Sequence, residues 1–179
     1  MHNDIGSIVL TEEQIEAACV RLGQQLTADY KDSLPLCVGI LKGSVLFMTD
    51  LIKHIDTHVE IDFMDVSSYH GGTESTGEVK ILKDLSTSVE DRDVIIIEDI
   101  LETGTTLNSI VDLLKYRKAK SIEIVTLLDK PSRRKVDIEA KYVGEKIPDD
   151  FVVGYGLDYQ ERYRNLPYIG LLKEEVYAK

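Results

Sequence analysis

The stretch VIIIEDILETGTTL, residues 94–107, decides how the rest of the chain is read. Four β-branched residues, Val94 to Ile97, read as a strand buried on both faces, since a half-exposed strand alternates apolar with polar. The strand runs into two adjacent carboxylates, Glu98 and Asp99, and five residues later comes the small-residue turn Thr103-Gly104-Thr105-Thr106. Leu107 to Tyr116 reads as a helix, so the turn opens onto a helix N-terminus at about Thr106. In an open parallel sheet, ligands bind beyond the carboxyl ends of the strands. There the N–H groups of the turn point at a common spot, and the helix dipole adds partial positive charge. Gly104 lets the backbone come close, and Thr103, Thr105 and Thr106 add hydroxyl donors. Such a cup suits a phosphate monoester. Glu98 and Asp99 beside it are able to accept from sugar hydroxyls or hold Mg²⁺ through water. The plainer reading, polar residues ending a strand before a capped helix, explains the turn but leaves the second acid without a purpose.

The flanking sequence repeats the alternation of strand and helix. Thr11-Glu12-Glu13-Gln14 reads as a capping box, and Ile15, Ala18, Leu22 and Leu26 recur at helical spacing, so a helix is predicted from about Thr11 to Tyr30. Leu36 to Leu41 reads as a buried strand, Lys42-Gly43-Ser44 as a turn, and Val45 to Ile55 as a helix. Val59, Ile61 and Phe63 alternate with Glu60 and Asp62, the pattern of a half-exposed strand. His70 to Glu78 has no apolar residue and three glycines, and reads as a mobile loop. Strands are predicted again over Val79 to Leu82, Ile122 to Leu128 and Phe151 to Tyr155. The expectation is an α/β fold, a mainly parallel sheet flanked by helices, in one domain over residues 1–179.

Bulk properties narrow the class. At 43% hydrophobic residues the composition is that of an ordinary globular chain rather than a disordered or membrane one. No apolar run approaches the roughly 20 residues of a membrane span, and the start MHNDIGSIVL lacks the basic, then apolar, pattern of a signal peptide. Cys19 and Cys37 lie in apolar-periodic segments and read as buried reduced thiols, which suits a cytoplasmic location. A net charge of −11, from 32 acidic and 21 basic residues, argues against a nonspecific nucleic-acid binder. An anionic small molecule then needs a locally cationic site or a divalent cation. The other familiar phosphate motifs, G-x-x-x-x-G-K-[ST] and G-x-G-x-x-G, are absent from the chain.

EDILETGTTL, residues 98–107, resembles the 5-phosphoribosyl-1-pyrophosphate (PRPP) motif of the type I phosphoribosyltransferases. LKGS (41–44), SSYHGGTESTG (67–77), LLDKP (127–131) and PDDFVVGYGLDYQERYRNLPYIG (148–170) are similar, in order, to the bacterial hypoxanthine-guanine branch of that family. The resemblance spans about Cys37 to Tyr177. It implies the type I phosphoribosyltransferase fold with a small hood and a mobile lid. It also implies transfer of a 5-phosphoribosyl group from PRPP to a 6-oxopurine, with Mg²⁺ and through an oxocarbenium-like sugar.

The resemblance assigns roles by position. Glu98 and Asp99 would hold the ribose hydroxyls and the Mg²⁺ beside them, and Asp158 would bind Mg²⁺ on the pyrophosphate side. Glu102, Thr103, Gly104, Thr105 and Thr106 would cradle the 5′-phosphate, and Glu102 would be the general base at the purine. Many relatives carry Asp at that position; Glu is longer by about 1.5 Å, one C–C bond. Lys130 would donate to the purine O6, a contact the 6-amino group of adenine does not accept. Phe151 would stack on the base and Val152 read its edge through the backbone. Lys42 and Gly43 would meet pyrophosphate through backbone N–H groups, across a Leu41–Lys42 peptide expected to be cis, and Arg164 would clamp it. Ser68 and Tyr69 would begin the lid. A homodimer or homotetramer is expected, with neither nucleic acid nor membrane as partner. The open alternatives are the same transfer with xanthine or adenine preference, and a non-catalytic sensor of PRPP or nucleotide.

Overall fold

The computed structural model describes residues 1–68 and 79–178, with Ser68 described by its backbone only. Tyr69, the side chain of Ser68 and the expected lid from His70 to Glu78 therefore lie outside the described residues.

In chain order the elements are β1 (Ile5–Leu10), α1 (Glu12–Tyr30), β2 (Leu36–Leu41), α2 (Val45–Leu51), β3 (Glu60–Ser68), β4 (Val79–Lys83), β5 (Asp93–Leu101), α3 (Thr105–Tyr116), β6 (Ser121–Asp129), β7 (Tyr142–Lys146), β8 (Val152–Val153), β9 (Ile169–Leu172) and α4 (Glu174–Tyr177). Six strands form the main sheet in the order β4-β3-β2-β5-β6-β7. The pairs β3–β2, β2–β5, β5–β6 and β6–β7 are parallel, and β4 alone runs antiparallel, against β3. The predicted α/β architecture is thus present, with β5, the strand of the opening stretch, at the centre.

Alternation along each central strand sends successive side chains to opposite faces. Ile95, Ile97, Cys37 and Val125 pack with Cys19 and Leu22 of α1 and Phe47 and Leu51 of α2. Val94, Ile96, Val38 and Ile124 pack with Leu107, Ile110 and Leu114 of α3. This two-sided burial is why the strand shows no polar alternation. Both cysteines are buried and unpaired, and burial pushes the Cys19 thiol up to about 11 and that of Cys37 to about 12.

At the start of α1 the capping box forms as expected: Gln14 N–H donates to Thr11 Oγ1 (3.2 Å) and Thr11 N–H to Gln14 Oε1 (2.9 Å). Other expectations are corrected. The helix predicted to Ile55 ends at Leu51 and continues as a 3-10 turn over Ile52–His54. In β3, Ile61 is 50% exposed while Asp62 is buried. The reason is hydrogen bonding: the Asp62 carboxylate accepts N–H bonds from Phe63, Ser86 and Thr87 and so anchors the segment after β4.

The expected strand from Phe151 to Tyr155 shrinks to β8, because Gly154, Tyr155 and Gly156 all take positive φ and turn the chain. β8 joins a small antiparallel sheet, β1-β9-β8, built from both ends of the chain. Leu10, Val152 and Ile169 of this sheet enter the same core as α1, which seats it against the main sheet as the hood. Among the described residues no helix is long and apolar enough to cross a membrane.

Candidate active site

β5 does not stop at its apolar run. It continues to Leu101, so Glu98 and Asp99 are strand residues rather than loop residues beyond a strand end. Both are half-buried. Glu98 lines a cleft of about 170 Å³ together with Glu102, Thr103, Gly104 and Thr106. Asp99 lies against the β2–α2 turn: a Cβ added to Gly43 would sit 1.8 Å from its Oδ2. The two acids thus connect the Thr103–Thr106 turn with the Lys42-Gly43 turn.

Burial first, and the neighbouring Asp99 charge second, push the Glu98 carboxyl well above the usual carboxylate range. Burial raises Asp99 as well, with its contact to Glu98 and the Arg164 charge among the groups pulling the other way. Among the described residues neither acid has a Lys or Arg within ion-pair distance. A pair of hard oxygen donors without a resident cation fits a divalent metal ion that takes one or two carboxylates and completes its shell with water and substrate. Among the described residues no three metal-ligating side chains cluster. Asp158, expected on the pyrophosphate side, is paired with Arg164 at 3.0 Å.

The cup follows from the turn. Gly104 is the N-cap of α3 at φ +78°, and a side chain there would collide with Ile138 Cγ2 at 2.3 Å. As glycine, the N-cap residue itself offers no side-chain cap. Thr103 Oγ1 accepts from Thr105 N–H (3.4 Å), and Asn108 N–H reaches the Gly104 carbonyl (2.8 Å). The helix begins at Thr105, one residue before the expected start.

Beside the cup, Lys130 follows the last residue of β6. Its side chain is 5% exposed, and its Nζ lies 2.6 Å from Glu102 Oε1. Its N–H donates to the Leu101 carbonyl (2.9 Å). Arg134 braces the same corner, donating to the carbonyls of Leu101 (3.2 Å) and Glu102 and pairing with Asp129. Sequence reasoning missed Arg134, since Arg133-Arg134-Lys135 reads as a solvated charge run.

Phe151 is 39% exposed and stacks on Tyr177 of α4, with centroids 4.8 Å apart and planes at 18°. Tyr159 meets it edge-on at 5.7 Å. β8 is the edge strand of its sheet, and Leu172 N–H donates to the Phe151 carbonyl (2.9 Å). By the antiparallel alternation, Val152 then turns its own N–H and carbonyl to the open edge.

On the other side of Asp99, the Leu41–Lys42 peptide is cis. A Cβ on Gly156, which has φ +99°, would meet the Gly43 carbonyl oxygen at 1.9 Å, so Gly43 is held between Asp99 and Gly156. Arg164 donates to the Gly156 carbonyl (2.7 Å). Its Nε is buried and has no hydrogen-bond partner among the described residues. The sequence-predicted residues outside the lid therefore form three neighbouring groups: cup, Lys130–Glu102 corner, and the Lys42–Gly43–Arg164 side, with Phe151 and Val152 on the hood.

The sequence pattern of the phosphoribosyl transferase domain matches residues 7–160. This chain belongs to the phosphoribosyltransferase family. The phosphoribosyltransferase is 72% identical to a hypoxanthine-guanine phosphoribosyltransferase of Staphylococcus aureus (strain Mu50), over 99% of both chains. It is 71% identical to one of Staphylococcus epidermidis over the full length of both. A crystal structure of a hypoxanthine phosphoribosyltransferase from Staphylococcus aureus superposes with a TM-score of 0.97, covering 100% of this phosphoribosyltransferase and 97% of that chain at 72% identity. A hypoxanthine-guanine phosphoribosyltransferase structure from Bacillus anthracis gives 0.91 at 44% identity, covering 94% and 99%.

Proposed function

We propose that this phosphoribosyltransferase is a purine salvage enzyme that transfers the 5-phosphoribosyl group of PRPP to hypoxanthine or guanine, yielding IMP or GMP and pyrophosphate. The observation that carries the choice of base is the buried Lys130 ammonium beside the Glu102 carboxylate, 2.6 Å away. An ammonium offers only donors, so it satisfies the O6 of a 6-oxopurine and opposes the 6-amino group of adenine. A neighbouring carboxylate accepts the proton that the purine ring gives up. One corner thereby reads an acceptor and a donor on the same base.

In this reading the turn from Glu102 to Thr106 binds the 5′-phosphate, whose binding energy, remote from the reacting carbon, holds the sugar in place. Gly43 backbone and Arg164 take the pyrophosphate. The bond from C1 to pyrophosphate breaks well ahead of attack by the purine nitrogen, and Glu102 takes or guides the proton from the ring. Phe151 stacks on the base and Val152 meets its edge. Ser68 and Tyr69, with the lid, keep water from the sugar cation. Glu98 and Asp99 would hold Mg²⁺ beside the ribose, and Asp158 would do so on the pyrophosphate side. Mg²⁺ held by these acids would supply positive charge against the departing pyrophosphate. The enzyme acts in the cytoplasm as a homodimer or homotetramer, without nucleic acid or membrane partner.

The test is product formation from PRPP and Mg²⁺ with hypoxanthine, guanine, xanthine and adenine supplied separately. Nucleotide and pyrophosphate are expected with the first two. Adenine used as well as hypoxanthine would overturn the role of Lys130.

A further inference from the structure

Glu161 has no part in the reaction as described above, yet it touches both cations of the pyrophosphate side. Its Oε2 is 2.9 Å from Lys42 Nζ and its Oε1 is 3.0 Å from Arg164 Nη2. One carboxylate therefore spans the gap between the turn after β2 and the segment before β9. The backbone that presents it is unusual. Gln160 and Glu161 adopt φ +53° and +61°, a region L residues rarely enter. The turn is held there by the Asp158 carboxylate, which accepts Glu161 N–H (2.8 Å), and by paired hydrogen bonds between Tyr159 and Arg162 (3.1 Å each). Strain of this kind persists only where surrounding contacts fix it.

We infer that Glu161 is an internal stand-in for pyrophosphate: its carboxylate holds Lys42 and Arg164 while no substrate is present, yields them to the diphosphate of PRPP, and reclaims them as pyrophosphate leaves. This rests on the reading of Lys42, Gly43 and Arg164 as the pyrophosphate site, and adds the Lys42 ammonium to the backbone N–H contacts of that turn. The exchange is favourable because the Glu161 side chain is 63% exposed and carries one charge, whereas a diphosphate carries several. Arg164 also retains a buried Nε without a partner among the described residues, so Glu161 and Asp158 do not saturate its guanidinium. The consequence is kinetic. A resident competitor weakens the grip on pyrophosphate and so favours its release, at the expense of PRPP affinity.

The test is calorimetric titration of the full-length protein with magnesium pyrophosphate, using wild type, Glu161→Gln, Glu161→Asp and Arg164→Gln, alongside steady-state kinetics. Glu161→Gln should tighten pyrophosphate binding about three- to tenfold, the scale of one or two exposed ion pairs. The KM for PRPP should fall by a similar factor while kcat does not rise. Glu161→Asp keeps the charge but is shorter by about 1.5 Å, so it cannot span both cations and should also bind pyrophosphate more tightly than wild type. Unaltered or weaker binding in Glu161→Gln, or wild-type affinity in Glu161→Asp, would overturn the inference while Arg164→Gln loses affinity. If Arg164→Gln binds as wild type does, the pyrophosphate site itself has been misassigned, and the inference falls with it. Unchanged melting temperatures for the Glu161 variants verify that the turn is intact.

Discussion

Lys130 Nζ and Glu102 Oε1 lie 2.6 Å apart at the ends of neighbouring parallel strands. Leu101 pairs in register with Asp129, so the next residue on each strand, Glu102 and Lys130, meet as they leave the sheet. The ion pair is thus a product of strand register, and it is the only place where a buried ammonium and the expected base face each other among the described residues.

Lys130→Ala should lower kcat/KM for hypoxanthine by about a hundredfold, because a site built around a buried hydrogen bond loses discrimination steeply when one partner goes. PRPP affinity should change little. Measured losses of equal size for both substrates would contradict the assignment.

Glu102→Gln should lower kcat by about a hundredfold, the low end of what a positioned general base contributes. The affinity for nucleotide product should remain, since the cup keeps its backbone donors. Turnover at the wild-type rate would remove Glu102 as base.

Arg134→Met should destabilise the protein by roughly 3 kcal/mol, the cost of leaving one member of a buried ion pair alone. Asp129 would lose its partner, and the carbonyls of Leu101 and Glu102 would lose a donor. Thermal unfolding measures this. An unaltered melting temperature would show that the brace is idle.

Gly43→Ala should abolish tight PRPP binding while leaving the fold intact. The new methyl would sit 1.8 Å from the Asp99 carboxylate, which must move. Calorimetry with PRPP and Mg²⁺ decides it, with wild-type affinity as the contrary result.

Tyr177→Leu should raise the KM for purine by up to about tenfold, the worth of an aromatic stack, because Tyr177 backs Phe151 at 4.8 Å. PRPP should be unaffected, and Tyr177→Phe should restore the wild-type KM. A purine KM unaffected by loss of the ring would leave Phe151 self-supporting.

The parallel sheet was readable from Val94 to Ile97 because burial on both faces leaves an unmistakable apolar run. The cup was readable because Gly104 and its threonines are local to one turn. Ile61 and Asp62 were misread, since alternation cannot tell a solvated acid from one buried by three backbone N–H bonds. The hood was implied only by the family resemblance, and its strand pairing escaped for a different reason. β1 pairs with β9, Ile5 opposite Leu172, and nothing within either short strand announces a partner at the far end of the chain. Arg134 and Glu161 were hidden among ordinary charges, and only their contacts separate them from solvated residues.

The most direct measurement is a crystal structure of the protein with PRPP and Mg²⁺. The 5′-phosphate should lie within hydrogen-bond reach of the Thr103–Thr106 turn, the ribose beside Glu98 and Asp99, and the pyrophosphate against Gly43 and Arg164. PRPP bound away from Glu98, Asp99 and the Gly104 turn would contradict the account.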